Sequence, residues 1–326
     1  MQHEDTPILV TGGAGYIGSH TCKALAMAGY RPVVYDNLIS GHDWAVRFGP
    51  LEQGDILDHE TLRAVLRRHR PVGVMHFAAL IDVAQSVADP LAFYRNNVVG
   101  TISLLRAMQA EGINRFVFSS SCATYGPTER MPISEDTFQA PINPYGQTKL
   151  MVEQIMQDCA RSGPLSAVAL RYFNAAGADP ERELGEAHDP ETHLIPLALG
   201  AVNGNVNALT INGTDFPTQD GTCIRDYVHV SDLAEAHVKA LAFTGDHQGF
   251  EAFNLGTGHG ASVREVVQVA ERVTGRALPH TFGPRRAGDA PALVADAGRA
   301  RTMLGWQPAQ SDLDTIVETA WAWMNR

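Results

Sequence analysis

The chain has 326 residues, 44% of them hydrophobic, and a formal net charge of −11. Its length and apolar content allow a large core and favour one larger domain with a smaller partner domain. The negative charge argues against a nucleic-acid partner, because a phosphate backbone is bound chiefly by clustered Lys and Arg, whereas a small anionic ligand remains allowed.

The first residues are polar, and no apolar stretch approaches the length needed to cross a bilayer. We therefore expect a soluble, cytoplasmic protein without a membrane partner. The cysteines are scattered and form no Cys-x-x-Cys pair, so we expect reduced thiols, no disulfide framework and no metal. They are Cys22, Cys122, Cys159 and Cys223.

The first predicted strand, Ile8 to Val10, leads into a glycine-rich segment and then into a helical pattern from Ser19 to Ala28. The segment is Thr11-Gly12-Gly13-Ala14-Gly15-Tyr16-Ile17-Gly18. Its three spaced glycines permit a tight turn, close approach of a pyrophosphate to the backbone and close packing of helix on sheet. The helix N-terminus then points free N–H groups at the phosphates, which predicts a dinucleotide site.

The second predicted strand, Pro32 to Tyr35, ends in Asp36, about twenty residues after the last of these glycines, where a ribose-binding carboxylate is expected. A carboxylate there accepts hydrogen bonds from the adenosine hydroxyls and repels a 2′-phosphate. The alternative is a turn-forming Asp before Asn37. In this context we predict NAD rather than NADP.

Two short segments close the next strands. Gly54-Asp55-Ile56 is placed to reach an adenine. His76-Phe77-Ala78-Ala79 contains small residues that would let the backbone lie against a cofactor. We interpret His76 itself as a packed strand histidine rather than a catalyst.

Apolar β-type runs and helical patterns alternate along the chain. They are strand 72–77, helix 96–112, strand 115–119, helix 145–162 and strand 167–171. This alternation is typical of an α/β fold with a doubly wound parallel Rossmann sheet, whose ligand crevice lies beyond the carboxyl ends of the strands. We predict a cofactor domain over 1–174 and a smaller mixed α/β substrate domain over 175–326, with 225–245 returning to the first.

Tyr145 and Lys149 lie four residues apart, on one face of a predicted helix. A tyrosine alone has a pKa of about 10, and a nearby cation favours the phenolate and lowers that pKa toward the range useful to a general base. An oxidised nicotinamide would add a second positive charge. An isolated Tyr-x-x-x-Lys is more often an exposed pair without chemistry, but here it follows a complete dinucleotide fingerprint.

A set of motifs extends nearly from end to end of the chain. Besides the glycine-rich segment, they are Phe118-Ser119-Ser120-Ser121, Tyr145-x-x-x-Lys149, Arg171-Tyr172-Phe173-Asn174, Asp220-Gly221-Thr222, Arg225-Asp226-Tyr227-Val228-His229-Val230, Asn254-Leu255-Gly256-Thr257-Gly258, Arg285-Arg286-Ala287-Gly288-Asp289 and Leu304-Gly305-Trp306. Each motif is widely shared, whereas the set is specific. It resembles the extended short-chain dehydrogenase/reductase superfamily and, within it, the UDP-glucose 4-epimerase family.

The resemblance implies that Tyr145 removes the proton of a sugar 4-hydroxyl while NAD oxidises C4, and that the 4-keto sugar turns before it is reduced on its other face. It also implies that Lys149 holds the nicotinamide ribose and lowers the tyrosine pKa, and that Ser121 hydrogen-bonds the reacting oxygen. The further cofactor contacts that it implies are Gly12, Gly15, Tyr16, Ile17, Gly18, Asp36, Asn37, Asp55, Ile56, Phe77, Ala78, Asn96 and Tyr172.

A sugar that must turn cannot be gripped tightly, so binding energy should come from the nucleotide, which does not react. The resemblance implies that Arg225 and Arg286 bind the diphosphate through their bidentate guanidinium groups, and that Asp289 binds the uridine ribose. The remaining substrate contacts that it implies are Asn174, His193, Leu194, Tyr227 and Leu293, together with Ser121 and Tyr145.

Sugar-nucleotide dehydratases of the superfamily carry an acidic pair where Cys122 and Ala123 stand here, so elimination chemistry is disfavoured. Three positions depart from the commonest epimerase pattern. Ile81 replaces a lysine near the cofactor, His193 replaces an asparagine of the pocket wall, and Leu293 stands where a tyrosine or a small residue gates the 2-substituent of the sugar.

Together with 122–126 and 173–178, these residues are similar to an exopolysaccharide-linked branch of bacterial epimerases. The activity implied is interconversion of UDP-glucose and UDP-galactose. UDP-xylose/UDP-arabinose and UDP-N-acetylglucosamine 4-epimerases are the enzymatic alternatives, and an NAD-binding sensor or scaffold is the non-enzymatic one.

Relatives commonly pair through the helices that match 96–112 and 145–162, so we expect a homodimer. Both helices carry apolar residues beyond one stripe, namely Leu104, Leu105, Met108, Met151, Val152 and Ile155. The alternative is that these side chains pack on the parent sheet.

Overall fold

The computed structural model describes residues 5–286 and 289–326. The strands are β1 (Thr6–Thr11), β2 (Tyr30–Asp36), β3 (Leu51–Gln53), β4 (Gly73–His76), β5 (Arg115–Ser121), β6 (Ser166–Tyr172), β7 (Asn174–Ala176), β8 (Leu209–Asn212), β9 (Ile224–Arg225), β10 (Tyr227–His229), β11 (Gly249–Leu255), β12 (Ala261–Ser262), β13 (His280–Gly283) and β14 (Ala292–Leu293).

The α-helices are α1 (Tyr16–Met27), α2 (His59–His69), α3 (Val83–Ala88), α4 (Pro90–Phe93), α5 (Gly100–Ala110), α6 (Pro144–Ser162), α7 (Leu194–Asn203), α8 (Val230–Asp246), α9 (Val263–Thr274) and α10 (Leu313–Met324). Short 3₁₀ turns cover Asp43–Ala45 and Cys122–Thr124, and π-helical segments cover Tyr94–Val99 and Ala300–Leu304. In residues 5–286 and 289–326, no helix has the length and apolar character that crossing a membrane requires.

Within the described residues, seven strands form one parallel sheet in the order β11-β6-β5-β4-β1-β2-β3. The order reverses between β1 and β4, which is the switch point of a doubly wound sheet. Ile8, Leu9 and Val10 of β1 are all fully buried, as expected where helices cover both faces of a parallel sheet. The predicted α/β class with a doubly wound parallel sheet is confirmed.

Two apolar clusters lie on opposite faces of this sheet, because successive side chains of a strand point to opposite sides. Ile8 and Val10 pack with Leu25 of α1 and with Leu233 and Leu241 of α8. Leu9 packs in the second cluster, which also takes its side chains from α2, α5 and α6. Helix α8 and strand β11 come from the second half of the chain and complete the sheet and its core. The predicted boundary between 174 and 175 stays a prediction.

The apolar side chains that suggested a dimer surface are mostly internal. Leu104, Leu105, Met108 and Val152 are buried in the cluster on the α5 and α6 face, and Ile155 packs against it. Packing on the parent sheet, the alternative interpretation, therefore describes these residues. They provide no support for a second subunit.

A third apolar cluster lies among α7, α9 and α10 and includes Leu199, Val266 and Ile316. Helix α9 begins with a capping box in which the Ser262 and Glu265 side chains bond each other's backbone N–H groups. The small sheets β7-β10, β8-β13 and β12-β9-β14 connect these helices to the central sheet.

Candidate active site

The glycine-rich turn joins β1 to α1, and two of its glycines are required by space. A Cβ on Gly12, whose φ is +73°, would lie 2.5 Å from the Ala78 backbone nitrogen, and a Cβ on Gly18 would lie 2.2 Å from the Gly12 carbonyl oxygen. Helix α1 begins after Gly15 with no side-chain cap and no acidic residue in its first turn. Its free N–H groups and the helix dipole therefore favour an anion such as a pyrophosphate.

Asp36 ends β2 beside this turn. One oxygen of its buried carboxylate accepts a hydrogen bond from the Ala14 nitrogen at 3.0 Å, and the other accepts one from the Leu38 nitrogen at 2.9 Å. These two bonds fix the carboxylate at the edge of the turn, and its contact with an adenosine ribose stays a prediction. Asn37 and Asp55 lie next to it, joined by a 3.3 Å hydrogen bond.

Replacing Asp36 by Asn is expected to weaken NAD binding and to raise the ratio of NADP to NAD affinity at least about tenfold, because one negative charge that repels a 2′-phosphate is removed. The ratio is measured by titrating both dinucleotides, and it is insensitive to a general loosening of the turn. Glu60→Gln, on the exposed start of α2, removes the same charge elsewhere and should leave the ratio unchanged. An unchanged ratio in Asp36→Asn would contradict the assigned role.

Ser121, Tyr145 and Lys149 meet at the carboxyl end of β5. Ser121 is the last residue of that strand, and α6 begins at Pro144 because the Asn143 side chain caps it by accepting a hydrogen bond from the Gly146 nitrogen at 2.8 Å. Lys149 is 2% exposed, and its ammonium donates to the Ser119 carbonyl oxygen at 2.7 Å. Its nitrogen lies 5.7 Å from the centre of the Tyr145 ring.

The electrostatics of this group are set largely by burial. Burial raises the pKa of the Tyr145 phenol above its ordinary value, Tyr172 adds to this effect, and a hydrogen bond with Ser121 opposes it. Burial lowers the pKa of Lys149 to about 7, against the attraction of Glu153. In the chain without cofactor, burial therefore dominates the pKa of both groups, and the expectation that Lys149 lowers the tyrosine pKa stays a prediction for the site with NAD bound.

A buried polar network packs against helix α6, which carries Tyr145 and Lys149. Glu153, one turn after Lys149, forms an ion pair with Arg171 at 2.6 Å, and both side chains are almost completely buried. Arg171 also donates to the Tyr125 hydroxyl at 2.9 Å, and that hydroxyl donates to Asn254 of β11 at 2.6 Å. The motif analysis missed this network, although the spacing of four residues between Lys149 and Glu153 was a usable signal.

The π-helical segment places Asn97 rather than Asn96 inward. Asn97 bonds both backbone groups of Leu80 and the hydroxyl of Thr148, next to Lys149. Asn96 is half-buried and donates to the Asn97 side chain. The π-helical turn carries an extra residue, and Asn97 there connects the loop after β4 to helix α6.

The other predicted cofactor residues lie around the same strand ends. The Tyr172 hydroxyl pairs with that of Ser119, the Phe77 ring lies 4.6 Å from the His237 ring, and the Ala78 nitrogen bonds the Thr11 carbonyl oxygen. Tyr16 donates to the Gly177 carbonyl oxygen, Ile17 is half-buried, and Ile56 belongs to the sheet core. Their contacts with a cofactor stay predictions.

His76 is fully packed in β4. Its two ring nitrogens lie 2.6 Å and 2.9 Å from the hydroxyls of Thr11 and Thr101, and burial lowers its pKa to about 3. It is therefore neutral and structural.

Arg225, Asp289 and Arg286 form a chain of charges on the second half of the molecule. Arg225 donates to the carbonyl oxygens of Ile224 and Ala290 and lies 3.5 Å from the Asp289 carboxylate, which Arg286 approaches at 3.1 Å. The exposed Arg286 and the half-buried Arg225 can both reach an anion. Ala287 and Gly288 of the same motif lie outside the described residues.

Other predicted substrate residues line the neighbouring strands. Asn174 donates to the Asp226 carbonyl oxygen, Tyr227 is buried in β10, and Leu293 in β14 pairs with Arg225 in register. Leu194 is the first residue of α7. Their contacts with a substrate stay predictions.

His193 lies in a cluster that the sequence analysis did not foresee. Its Nδ1 atom lies 2.8 Å from Glu186 and 2.9 Å from Glu191. Burial opposes its charge, but the bonds to the two carboxylates outweigh burial and raise the pKa of His193 to about 10. The replacement of an asparagine by histidine at this position thus serves a set of contacts within the loop.

Cys122 and Ala123 follow Ser121 in a 3₁₀ turn, where a dehydratase would carry its acidic pair. Burial raises the pKa of the Cys122 thiol to about 12. It is therefore neither an acid nor a base near neutral pH.

A dinucleotide turn beside a Ser-Tyr-Lys group on a doubly wound sheet defines the extended short-chain dehydrogenase/reductase class. The NAD dependent epimerase/dehydratase family matches residues 8–256, and the chain belongs to this family. The prediction of NAD as cofactor is confirmed at that level.

Named relatives show which members of this family the chain resembles. A UDP-glucose 4-epimerase of Rhizobium leguminosarum bv. trifolii is 54% identical over 316 residues, which are 97% of this chain and 96% of that protein. The crystal structure of UDP-glucose 4-epimerase from Brucella ovis in complex with NAD is 54% identical, covers 97% of this chain and 98% of that one, and gives a TM-score of 0.95.

A UDP-glucose-4-epimerase from Stenotrophomonas maltophila with bound NAD and formylated UDP-arabinopyranose is 39% identical over 98% of both chains, with a TM-score of 0.96. The resemblance to UDP-glucose 4-epimerases, which rested on the motifs, is confirmed.

Proposed function

We propose that this protein interconverts UDP-glucose and UDP-galactose by transient oxidation at C4. The observation that carries the proposal is the meeting of Ser121, Tyr145 and Lys149 at the strand ends beside the glycine-rich turn. Bound NAD supplies a reversible two-electron acceptor for C4 and a positive charge beside the phenol. The sugar is oxidised, turns as the 4-keto form and is reduced on its opposite face.

Proton transfer at the sugar is assigned to Tyr145. Its phenolate oxygen accepts the proton of the 4-hydroxyl and returns it after the sugar has turned. The Ser121 hydroxyl, which hydrogen-bonds the phenol, also bonds the reacting oxygen and passes the proton between them. Lys149, held by the Ser119 carbonyl oxygen, has its side-chain nitrogen beside the tyrosine ring and would hold the ribose of NAD.

Tyr145 requires a nearby positive charge to act as a base near neutral pH. Its pKa is raised by burial in the chain alone, so it holds its proton near neutral pH until positive charge is brought close. The cofactor site beside Tyr145 provides positive charge only when NAD is bound. This arrangement keeps the phenol inactive in the empty site.

Substrate affinity is assigned to the nucleotide. Arg225 is held by two carbonyl oxygens and so presents its remaining N–H groups in a fixed direction, toward a diphosphate. Asp289 lies between two guanidinium groups and can accept from a uridine ribose. Binding energy placed there leaves the hexose free to turn.

The activity is tested by incubating the purified protein with UDP-galactose and NAD and separating the products. A mixture of UDP-galactose and UDP-glucose is expected. Absence of UDP-glucose while NAD is bound would refute the proposal and favour the sensor or scaffold alternative, which the intact group of Ser121, Tyr145 and Lys149 disfavours.

The sugar specificity is assigned to Leu293, whose side chain packs against the small cluster of Tyr125, Ile133, Phe173 and Ala295. Leu293→Tyr is expected to lower the rate on UDP-N-acetylgalactosamine relative to UDP-galactose by roughly 10-fold or more, and Leu293→Ser to raise it, because bulk here excludes the acetamido group. Rates on these two sugars and UDP-xylose give the ratios.

Val294→Ser, one residue along the chain, is the control and should leave these ratios unchanged. Equal ratios in all variants would contradict the gating role. High wild-type activity on UDP-xylose would favour the pentose alternative, which is also suggested by the arabinopyranose ligand of the Stenotrophomonas maltophila protein.

We also infer a homodimer and a cytoplasmic location. Val87, Leu91 and Val99 are exposed on the segment that packs beside α6, and burying them against a second copy would remove apolar surface from water. Light scattering that gives a monomeric mass would refute the dimer.

The cysteines are all free thiols, which supports a reducing compartment.

A further inference from the structure

Four potential metal ligands converge in the loop between β7 and α7, and we refer to Glu186, His188, Glu191 and His193 as the EHEH cluster. The Nδ1 atoms of His188 and His193 lie 3.0 Å and 2.8 Å from the same Glu186 oxygen. Glu191 lies 2.9 Å from His193 Nδ1 and 3.7 Å from His188 Nδ1. One ligand atom from each residue lies within 4.8 Å of all the others.

The loop is held in place around the cluster. The Trp323 indole donates to the Glu186 carbonyl oxygen at 2.9 Å, and His42 bonds the Ala187 carbonyl oxygen at 2.7 Å. The Glu191 carboxylate also accepts from the backbone nitrogens of Thr192 and His193. Such second contacts fix the direction of metal ligands before an ion binds.

The cluster has the dimensions of a site for one small ion once its protons are lost. In a tetrahedral site with metal–ligand bonds of about 2.0–2.2 Å, neighbouring ligand atoms lie about 3.3–3.6 Å apart. Three of the observed separations, 2.8, 2.9 and 3.0 Å, are shorter hydrogen-bond distances and the fourth is 3.7 Å. An ion would therefore displace the Nδ1 protons of the two histidines and move the ligand atoms slightly apart. Two imidazoles with two carboxylates suit Zn²⁺ and similar transition metals, and they do not suit Ca²⁺ or Mg²⁺, which prefer oxygen ligands.

We propose that the EHEH cluster binds one divalent transition-metal ion, best matched by Zn²⁺, as a structural site. All four positions are taken by protein ligands, which leaves no open position for catalysis. His188 meets the Tyr16 ring edge-on at 6.2 Å, so the ion would fasten the loop to the glycine-rich turn. The expectation of no metal rested on the cysteines alone and did not weigh histidine and glutamate.

A second acidic group in the same loop serves as the contrast. Asp179, Glu181 and Glu183 all bond the ammonium of Lys23. That ammonium already lies among the three carboxylates and offsets one of their charges, and the group contains no imidazole. A variant there changes the charge of the loop without touching the EHEH cluster.

The test uses protein without an affinity tag, stripped by a chelator and titrated with Zn²⁺ against a competing chromophoric chelator. About one Zn²⁺ per chain and a raised Tm are expected. The double variant His188→Ala/His193→Ala should bind Zn²⁺ at least about 100-fold more weakly, and Glu183→Gln should bind as the wild type does.

X-ray absorption of the Zn²⁺-loaded wild type identifies the ligands of the ion directly. This measurement does not depend on whether the variants fold. Two imidazoles and two oxygen ligands at about 2.0–2.2 Å support the proposal. No stoichiometric Zn²⁺ in the wild type, a shell without imidazole, or undiminished binding in the double variant would overturn it. None of these readouts depends on epimerase activity.

Discussion

Tyr145→Phe is expected to lower kcat on UDP-galactose by about 10²–10⁴-fold, the usual contribution of a positioned general base. The substitution removes one oxygen and leaves the ring against Lys149, so the shape of the site is kept. UDP affinity should change by less than about twofold, because the proposed nucleotide contacts lie on Arg225, Arg286 and Asp289. Steady-state rates and UDP titration measure the two effects separately.

Tyr30→Phe is the matched control for this substitution. Tyr30 begins β2, at the opposite end of the parallel sheet from the strand ends that hold the site, about 20 Å from Asp36 at roughly 3.3 Å per residue. It should leave kcat unchanged. An equal loss of UDP binding and turnover in Tyr145→Phe would mean that the tyrosine holds the nucleotide rather than the proton.

Lys149→Met is expected to lower kcat at least about 100-fold, because it removes a preorganised charge beside the reacting oxygen. The same substitution is expected to stabilise the cofactor-free fold. The pKa of Lys149 falls from an ordinary value of about 10.4 to about 7 because of burial. A buried group whose charged form is disfavoured lowers stability, and Met fills the same space without a charge. We expect a gain of a few kcal/mol in unfolding free energy near pH 7.

The expected gain in unfolding free energy of Lys149→Met depends on pH. Well below pH 7, the lysine is charged in both states, so its burial cost is fully present; at pH 7 the folded chain has lost about half of this proton. Between pH 7 and about 10.4 the folded chain has lost this proton while the unfolded chain still binds it, so wild-type stability rises with pH. The advantage of Lys149→Met should therefore shrink from pH 7 to pH 10.

Thermal unfolding of the cofactor-free wild type and Lys149→Met, measured from pH 6 to pH 10, checks this sign. Lys239→Met is the control, since Lys239 is partly exposed and forms an ion pair of 3.3 Å with Glu235 one turn away; such a pair contributes little. A Tm difference for Lys149→Met that grows with pH would contradict the burial argument.

The residues of the proposed cofactor site could be selected from local sequence patterns. The glycines of the first turn, Asp36 at the end of β2, and the Tyr145 and Lys149 pair on one helix face are all set by spacing along one or two elements. Spacing of this kind is visible in a single sequence because turn geometry and helix periodicity act over a few residues.

Contacts between distant segments could not be foreseen in the same way. The Glu153 and Arg171 pair reaches Asn254 through Tyr125, and only the pairing of β6 with β11 brings that asparagine near. The Tyr145 pKa also depends on burial by several elements at once, which the spacing of Tyr145 and Lys149 in the sequence does not reveal. The EHEH cluster is local in sequence, but its four side chains converge only because the loop folds back on itself.

Strand β11 has a consequence for how the protein is made. A nascent chain that has left the ribosome up to β6 presents that strand as an open edge, with its N–H and C=O groups unpaired and prone to pair with other chains. The partner strand arrives roughly 80 residues later, which at about 5–20 residues per second means a delay of several seconds. The seven-stranded sheet is thus complete only after about half of the second half of the chain has been synthesised, and fragments cut between the halves should aggregate rather than bind cofactor.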